Sequence, residues 1–284
     1  ESVWSRGREA IKEELDKYAK EYKAMFERQA PKADQPKTML PTDPKNIWME
    51  GIGLIGLGAN AKAASIAGDL VVQNARVRAI GEDAGGFRPI SEKDLFDCEY
   101  WSLEQAKLGK GAPPKFQGKV VMITGGSGTI GFAIAEAFSK LGAQTILVDK
   151  DEIALKESVT KLGVGHKYFP IDVTHSDAAN QALLAAINNF GGLDILISNA
   201  GAAHAGPMLD ISNEELRNAF ELNFFSHYSF STEAAKILKD QNRGGQILFN
   251  ISKQSVNPGK NFGAYGLPKA TTFFLMRQLA LELG

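Results

Sequence analysis

The sequence has a single cysteine, Cys98, among 284 residues. An intramolecular disulfide is therefore excluded, and chains without disulfides are typical of a reducing compartment, so we expect a cytoplasmic protein. No apolar run approaches the length of a membrane span, and no charged-then-apolar leader opens the chain. These two features predict that the protein does not associate with a membrane.

An excess of charge of one sign is also missing. The formal net charge is −1, and no block of like charges occurs anywhere. We therefore expect no nucleic-acid partner and no membrane-surface partner. Hydrophobic residues make up 44% of the chain and charged residues 23%, which is enough apolar material for a normal core.

The first of two glycine-rich stretches, GIGLIGLGAN (51–60), contains a literal G-x-G-x-x-G. A dinucleotide site needs a strand before these glycines and a second strand that ends in an acid after them. Here the apolar run before Gly51 consists only of Ile47, Trp48 and Met49, and one long helical pattern (59–75) follows. The surroundings predict a glycine-rich strand packed against a helix, with no nucleotide.

The second half of the chain alternates short apolar runs with helical patterns. The runs are KVVMITG, QTILVDK, HKYFPIDV, LDILISNAG and GQILFNIS; the helical patterns cover 130–141, 152–162, 176–190 and 213–239. Near-continuous apolar strands separated by helices indicate a parallel sheet covered on both faces. The predicted fold class is α/β, with a doubly wound parallel Rossmann sheet.

The second glycine-rich stretch, TGGSGTIG (124–131), lies between the first of these strands and its helix. Gly125 permits a tight turn, Gly128 lets the backbone approach a phosphate, and Gly131 allows close packing of helix on strand. Asp149 ends the second strand eighteen residues after Gly131, where a carboxylate can accept both ribose hydroxyls of NAD and would repel the 2′-phosphate of NADP. The stretch predicts an NAD site.

A Y-x-x-x-K pair, Tyr265 and Lys269, follows in a helical pattern near the end of the chain. Residues four apart share one helix face, and a neighbouring ammonium favours the phenolate form of a tyrosine. Such a tyrosine can exchange a proton with a substrate oxygen during hydride transfer. Ser252, at the expected end of the fifth strand and thirteen residues before Tyr265, has a hydroxyl that can bind the same oxygen.

Six elements occur in the order seen in short-chain dehydrogenases/reductases, which residues 116–284 resemble. They are TGGSGTIG, Asp172-Val173, Asn199-Ala200-Gly201, Asn223, Ser252 and the Tyr265–Lys269 pair. The resemblance implies that Ser252 orients the substrate, Tyr265 is the acid/base, Lys269 tunes it and reaches the nicotinamide ribose, and Asn223 holds a relay water. It also implies a cofactor site. The expected cofactor-binding residues are Gly125, Ser127, Gly128, Thr129, Ile130, Gly131, Asp149, Asp172, Val173, Asn199, Ala200, Gly201, Tyr265 and Lys269.

One position departs from the short-form pattern T-G-x-x-x-G-x-G, because Thr129 stands where a glycine is usual. The spacing T-G-x-x-G-x-x-G resembles the extended, nucleotide-sugar branch, so an epimerase or dehydratase is an alternative function. A non-catalytic NAD-binding module is a second alternative. The Ser252-to-Tyr265 spacing of thirteen resembles the short form.

The first part of the chain resembles the tail of the aldolase half of two-part sugar-catabolism enzymes, in which a rhamnulose-1-phosphate aldolase precedes a short-chain dehydrogenase. The segment EYWSLEQAKL (99–108) is the most specific part. The resemblance implies cleavage of a ketose phosphate to dihydroxyacetone phosphate and L-lactaldehyde, with the second half acting on the aldehyde.

We expect three regions: an aldolase-tail segment of small α/β type at 1–107, a linker at 108–117, and a Rossmann domain, truncated at its C-terminus, at 118–284. No metal site is expected, because none of the four histidines forms H-x-H and each is expected to be structural or at the surface: His166, His175, His204 and His227. The helices at 213–239 and 264–283 are expected to pair with a second copy, as the resemblance implies.

Overall fold

A computed structural model describes residues 3–105 and 112–284. The chain divides into two compact units, Glu1–Pro113 and Pro114–Gly284. Residues 108–111, the first four of the predicted linker, lie outside the described residues. Among the described helices, none is long and apolar enough to cross a membrane.

The first unit begins with helix α1 (Val3–Gln29) and a 3-10 turn (Ala30–Lys32). Its other helices are α2 (Ala61–Asp83), α3 (Glu92–Glu99) and α4 (Ser102–Gln105). The pattern at 93–108 predicts one helix, but the chain leaves α3 at Tyr100, whose side chain is 1% exposed and packs on Met25 and Phe96. The buried Tyr100 ring thus lies at the break between α3 and α4.

The first glycine-rich stretch forms an antiparallel hairpin, β1 (Asn46–Met49) and β2 (Gly53–Gly56), where a single strand is predicted. Gly51 and Gly53 have φ values of 75° and 122°, which the tight turn requires and which glycine adopts without steric cost. A Cβ on Gly56 would overlap the backbone of Ala64 and Gly68. The predicted packing of this stretch against a helix is confirmed, because only a glycine fits there.

The second unit is a five-stranded parallel sheet in the order β5-β4-β3-β6-β7. The strands are β3 (Val120–Thr124), β4 (Gln144–Asp149), β5 (Lys167–Pro170), β6 (Ile195–Ser198) and β7 (Gln246–Phe249). The order reverses at β3, which has β4 on one side and β6 on the other. Ligands bind at such a switch point, beyond the carboxyl ends of the strands.

Helices cover both faces of this sheet: α5 (Thr129–Lys140), α6 (Glu152–Leu162), α7 (Ala178–Phe190), α8 (Asn213–Phe220), α9 (Ser226–Gln241) and α10 (Gly263–Leu283). Alternate residues of β3 point to opposite faces. Met122 packs with Leu183 of α7 and Phe230 of α9, whereas Ile123 packs with Ala135 of α5 and Leu155 of α6. The predicted doubly wound α/β fold is confirmed.

The pattern at 213–239 predicts one helix, and the structure interrupts it with a single π turn, Glu221–Phe225. The π turn contains Asn223, whose side chain is 1% exposed. Single π turns inside helices are frequent at functional sites because they redirect side chains. Asn242, in the left-handed region at φ 49°, ends α9.

Candidate active site

A cleft of about 490 Å³ lies at the carboxyl ends of the strands, at the point where the strand order reverses. Thirteen of the predicted site residues line it: Gly125, Gly128, Thr129, Ile130, Gly131, Asp149, Asp172, Val173, Asn199, Ala200, Gly201, Tyr265 and Lys269. The lining also includes residues that were not predicted: Lys150, Ile171, Ala202, Leu222, Asn250 and Ile251. The structure therefore brings the glycine loop and the Tyr–Lys pair into one site.

The glycine loop is held tightly against the sheet. Gly125 has a φ of 63°, and the Gly126 N–H donates to the carbonyl of Val148 at 3.1 Å. A Cβ on Gly131 would overlap the Gly125 carbonyl, so the start of α5 lies directly on the turn. Gly128 is the N-cap residue of α5 and has no side chain to cap it. The first N–H groups of α5 can therefore bind a phosphate, as helix N-termini do.

Two carboxylates lie further along the cleft. Asp149 ends β4, and its carboxylate accepts hydrogen bonds from the N–H groups of Lys150 at 2.8 Å and Ser127 at 3.3 Å. Ser127 does not line the cleft; it contacts the cofactor region only through this bond to Asp149. The pKa of Asp172 is lowered, first by the N–H of Thr174 and more weakly by the Lys150 ammonium, 4.0 Å away.

These features fit a dinucleotide. The glycine loop offers backbone N–H groups for a pyrophosphate, and Asp149 offers an acceptor for ribose hydroxyls. Lys150 lies next to Asp149 but directs its ammonium toward Asp172. The negative charge of Asp149 is therefore not paired with its neighbouring lysine.

Asn199 ties three neighbouring strands together at the cleft floor. Its Nδ2 donates to the Thr124 carbonyl at 2.9 Å, and its Oδ1 accepts from Nδ2 of Asn250 at 2.8 Å. The Thr124 hydroxyl in turn accepts the N–H groups of Asn199 and Ala200. These bonds fix the ends of β3, β6 and β7 relative to each other.

Lys269 lies on α10 with only 2% of its surface exposed, one turn after the half-buried Tyr265. Its Nζ is 3.2 Å from the carbonyl of Asn250, 3.1 Å from Nε2 of His227 and 5.9 Å from the centre of the Tyr265 ring. Burial lowers the pKa of Lys269 to about 8. The ammonium form therefore still predominates at neutral pH, beside Tyr265.

The four histidines are surface or structural residues, as expected, but His227 also contacts a predicted site residue. His175 and His204 are exposed and His166 bridges Ser139 and Thr145, as expected of surface or structural residues. The side chain of His227, in contrast, is 1% exposed and contacts Lys269. A sequence signal existed, since His227 follows Asn223 by four residues and so shares its face of the helix.

Asn223 and Ser252 do not line the cleft. The Asn223 side chain donates to the carbonyls of Ala202 and Ala219, each at 3.1 Å, and accepts from the Ala202 N–H at 3.3 Å. It therefore secures the loop after β6, and both hydrogens of its amide are used. The backbone carbonyl of Asn223 accepts the Thr272 hydroxyl at 2.7 Å.

Ser252 lies three residues beyond the end of β7, which stops at Phe249, so its expected place at the strand end is wrong. The chain instead enters a 3-10 turn, Lys253–Ser255, and the Ser252 hydroxyl caps it by accepting the Gln254 N–H at 3.2 Å. Across residues 3–105 and 112–284, no group of three or more His, Cys, Asp or Glu side chains is placed to hold a metal ion.

Comparison with known proteins agrees with this geometry. Residues 119–284 match the family model for short chain dehydrogenases, and residues 3–108 match that for the second domain of class II aldolases. The uncharacterized oxidoreductase YuxG of Bacillus subtilis (strain 168) is 32% identical over 281 residues, which cover 96% of this chain. The chain spans only 40% of the length of YuxG.

Solved structures resemble the second unit. An alcohol dehydrogenase from Thermococcus sibiricus, complexed with 5-hydroxy-NADP, is 27% identical with a TM-score of 0.56, covering 58% of this chain and 71% of the other. A 3-ketoacyl-(acyl-carrier-protein) reductase from Brucella melitensis, complexed with NADH, is 26% identical with a TM-score of 0.57, covering 58% and 70%. With the family model matching residues 119–284 behind an aldolase-like segment, the chain belongs to the short-chain dehydrogenase family.

Proposed function

We propose that residues 118–284 form an NAD-dependent oxidoreductase that acts on a small hydroxy or aldehyde compound. We further propose that residues 1–107 close an aldolase-like domain, that residues 108–117 link the two, and that the substrate is lactaldehyde from deoxysugar (rhamnose) breakdown. The observation that carries the proposal is the buried Lys269 beside Tyr265, in one cleft with the glycine loop.

NAD, when bound, supplies the hydride acceptor or, in its reduced form, the hydride donor. In the oxidising direction, a hydrogen would leave the substrate carbon as a hydride for NAD to accept, and the hydroxyl proton of the substrate would pass to the Tyr265 phenolate. The substrate would then carry a carbonyl group. In the reducing direction the Tyr265 phenol returns that proton to the carbonyl oxygen. The Lys269 ammonium favours the phenolate by its charge, and positioned proton transfer of this kind contributes about 10²–10⁴-fold in rate.

Ser252 is proposed to orient the substrate oxygen. The hydrogen bond from the Gln254 N–H uses a lone pair of the Ser252 hydroxyl, so the hydroxyl can still donate its own hydrogen. Asn223 is proposed to secure the loop beside the site and to hold a relay water. Both hydrogens of its amide are used, whereas an amide oxygen can accept two hydrogen bonds. Asp172 and Val173 are proposed to flank the adenine, since both line the cleft.

The substrate proposal is supported by the first unit. The match of residues 3–108 to a class II aldolase domain places aldolase sequence directly before the dehydrogenase, and YuxG aligns with both parts. An aldolase that releases a short aldehyde would supply a substrate to a neighbouring dehydrogenase.

The test measures NAD binding by the purified chain and NAD reduction or NADH oxidation with lactaldehyde, glycolaldehyde and glyceraldehyde. We expect turnover, with the highest kcat/KM for lactaldehyde. Turnover of none of the three, with NAD still bound, would contradict the substrate proposal. Because no histidine cluster for an aldolase metal is found in the described residues, the chain alone should release no dihydroxyacetone phosphate from a ketose phosphate.

A second candidate function is supported by Thr129. The glycines at 125, 128 and 131 have the spacing that resembles nucleotide-sugar epimerases and dehydratases. Such an enzyme would retain NAD through purification and give no net reduction of added cofactor. A chain that binds NAD and turns over neither class of substrate would be a non-catalytic module.

We also propose that the second unit pairs with another copy through α9 and α10. Phe225, Tyr228 and Phe274 are 45%, 47% and 65% exposed, and all three lie in or next to these helices. Phe230, in contrast, is fully buried against the sheet and contributes no surface. The mass in solution tests the proposal: a dimer or tetramer is expected, and a strictly monomeric whole protein would contradict it.

A further inference from the structure

A continuous chain of polar side chains runs beneath the cleft, where an apolar core would be expected. The Ser198 hydroxyl at the end of β6 is 2.6 Å from Nδ1 of His227 on α9, and Nε2 of His227 is 3.1 Å from Nζ of Lys269 on α10. All three side chains are at most 2% exposed. Three elements distant in sequence therefore meet at one buried histidine.

The contacts among these three side chains indicate which of their nitrogen atoms carry hydrogens. The Lys269 ammonium has three N–H donors and faces two acceptors, the Asn250 carbonyl and Nε2 of His227. Nε2 can accept only if it carries no hydrogen, and a neutral imidazole then carries its hydrogen on Nδ1. Nδ1 accordingly donates to the Ser198 hydroxyl, 2.6 Å away.

His227 stays neutral in this arrangement. Burial and the neighbouring Lys269 charge lower the pKa of His227 to about 3. No carboxylate acts on Lys269 in the described part of the chain, and the other titratable group beside it is Tyr265, on its own helix. A hydrogen bond with the backbone of Ala200 acts in the opposite direction on the pKa of His227 and is outweighed, and the ring also faces that of Phe249, 6.2 Å away between centres.

The lysine is enclosed on its remaining side as well. A Cβ added to Gly201 would lie 3.1 Å from Nζ of Lys269 and 2.8 Å from Oδ1 of Asn223. The ammonium therefore lies in a space bounded by Gly201, His227 and the Asn250 carbonyl. A lysine side chain is flexible, so a fixed position for its charge depends on such neighbours.

We propose that His227 is a positioning residue: its hydrogen-free Nε2 accepts from the Lys269 ammonium and holds that charge beside Tyr265, while Ser198 fixes the ring tautomer. The inference rests on the proposed oxidoreductase function for its consequence in the reaction. The geometry itself does not depend on the substrate.

The first test measures the histidine tautomer by ¹⁵N NMR of the purified chain without cofactor. The chain has four histidines, so the His227 signals are identified by their loss in a variant. We expect Nδ1 to carry the hydrogen and Nε2 to carry none. A hydrogen on Nε2 would overturn the proposal, because the ring would then donate toward a neutral Lys269.

The second test compares His227→Gln, whose amide oxygen can still accept from Lys269, with His227→Leu, which has no acceptor. In the Leu variant the acid limb of the kcat/KM profile for substrate oxidation should move up by about one pH unit, since the ammonium loses a hydrogen bond and its charge stabilises the Tyr265 phenolate less. The Gln variant should keep the wild-type profile.

Equal loss of kcat in both variants without displacement of the profile would show a merely structural role and overturn the proposal. If the Leu variant does not fold, the tautomer measurement on the unaltered chain still decides. A wild-type chain with the expected tautomer but no dehydrogenase activity would refute the proposed function and leave the His227–Lys269 geometry established.

Discussion

The segments at residues 51–60 and 124–131 both place closely spaced glycines between an apolar run and a helix. In the first, the glycines form the turn of an antiparallel hairpin and the contact of β2 with α2. In the second, they form the turn between a buried parallel strand and α5, at the point where the strand order reverses. Only the second turn lies in the cleft with Tyr265 and Lys269.

The difference shows what a glycine motif needs in order to bind a phosphate. Gly56 and Gly131 are both glycines because a backbone lies against them, so steric need alone does not distinguish the segments. What distinguishes them is the second strand: β4 follows α5 in parallel and ends in Asp149, whereas β2 has only the antiparallel β1 as a partner. Residues 51–60 match the sequence pattern G-x-G-x-x-G but lack the parallel strand that ends in an acid.

The largest expected effect is on the reaction rate, and it comes from removing the Tyr265 hydroxyl in the cleft that the glycine loop lines. Tyr265→Phe should lower kcat by about 10²–10⁴-fold, because the ring stays and the proton-transferring hydroxyl is lost. NAD affinity should be nearly unchanged, since the proposed pyrophosphate contacts lie at the glycine loop. Steady-state kinetics with an NAD titration measures both, and a variant that keeps more than about a tenth of the wild-type rate would remove Tyr265 from the acid/base role.

A matched pair of alanine substitutions compares the two segments directly. Gly131→Ala and Gly56→Ala each place a Cβ against backbone, so each should destabilise its own unit by about 1–3 kcal/mol. Only Gly131→Ala should also abolish NAD binding, because it displaces the turn at Gly125. Denaturant unfolding and NAD titration of both variants check this, and weaker NAD binding by Gly56→Ala would contradict the assignment.

The acid after the second segment should determine the choice of cofactor. Asp149 lines the cleft, and the lysine beside it directs its ammonium toward Asp172. A carboxylate facing the 2′-phosphate of NADP should cost about 1–3 kcal/mol, which is roughly tenfold to a hundredfold in favour of NAD. Asp149→Ser should reduce the preference for NAD over NADP, mainly because NADP should bind more tightly to the variant. Equal binding of both cofactors by the unaltered chain would place Asp149 away from the ribose.

The smallest expected effect is a pH dependence that belongs to the second unit alone. The pKa of His227 is lowered from 6.5 to about 3, so between these values the unfolded chain binds a proton that the folded chain does not. Its contribution to stability is present above pH 6.5 and lost as the pH falls. Between about pH 7 and pH 5 the loss should be roughly 2 kcal/mol.

Denaturant unfolding at both pH values, with His227→Gln as the control, measures this loss. The variant should lose less stability than the wild type over the same interval, since glutamine does not titrate. Equal losses in the two proteins would show that His227 is not buried neutral.

Local sequence patterns predict most of the fold of the second unit. Five apolar runs separated by helical patterns indicate a doubly wound sheet, and the described strands β3 to β7 lie within those runs. The glycine loop, Asp149 and the Tyr265–Lys269 pair could also be predicted, because each depends on spacing within one strand–turn–helix unit or one helix face.

Other features depend on contacts between distant parts of the chain. Asn223 lies in a π turn within a helix that the pattern predicts as continuous, and its side chain bonds the distant loop at Ala202. His227 meets Lys269 across 42 residues of sequence, and no periodicity records such a contact. Ser252 lies past the strand because β7 ends at Phe249.

The sequence by itself determined which residues form the strands of the second unit, which turn can approach a phosphate and which helix face carries the Tyr–Lys pair, because these follow from backbone geometry over a few residues. Only the tertiary structure decided that the first glycine-rich stretch is a hairpin rather than a single strand, and that a buried histidine faces the ammonium of Lys269. The physical reason is that side-chain burial and hydrogen bonding between separate elements depend on how those elements pack, which local patterns do not specify.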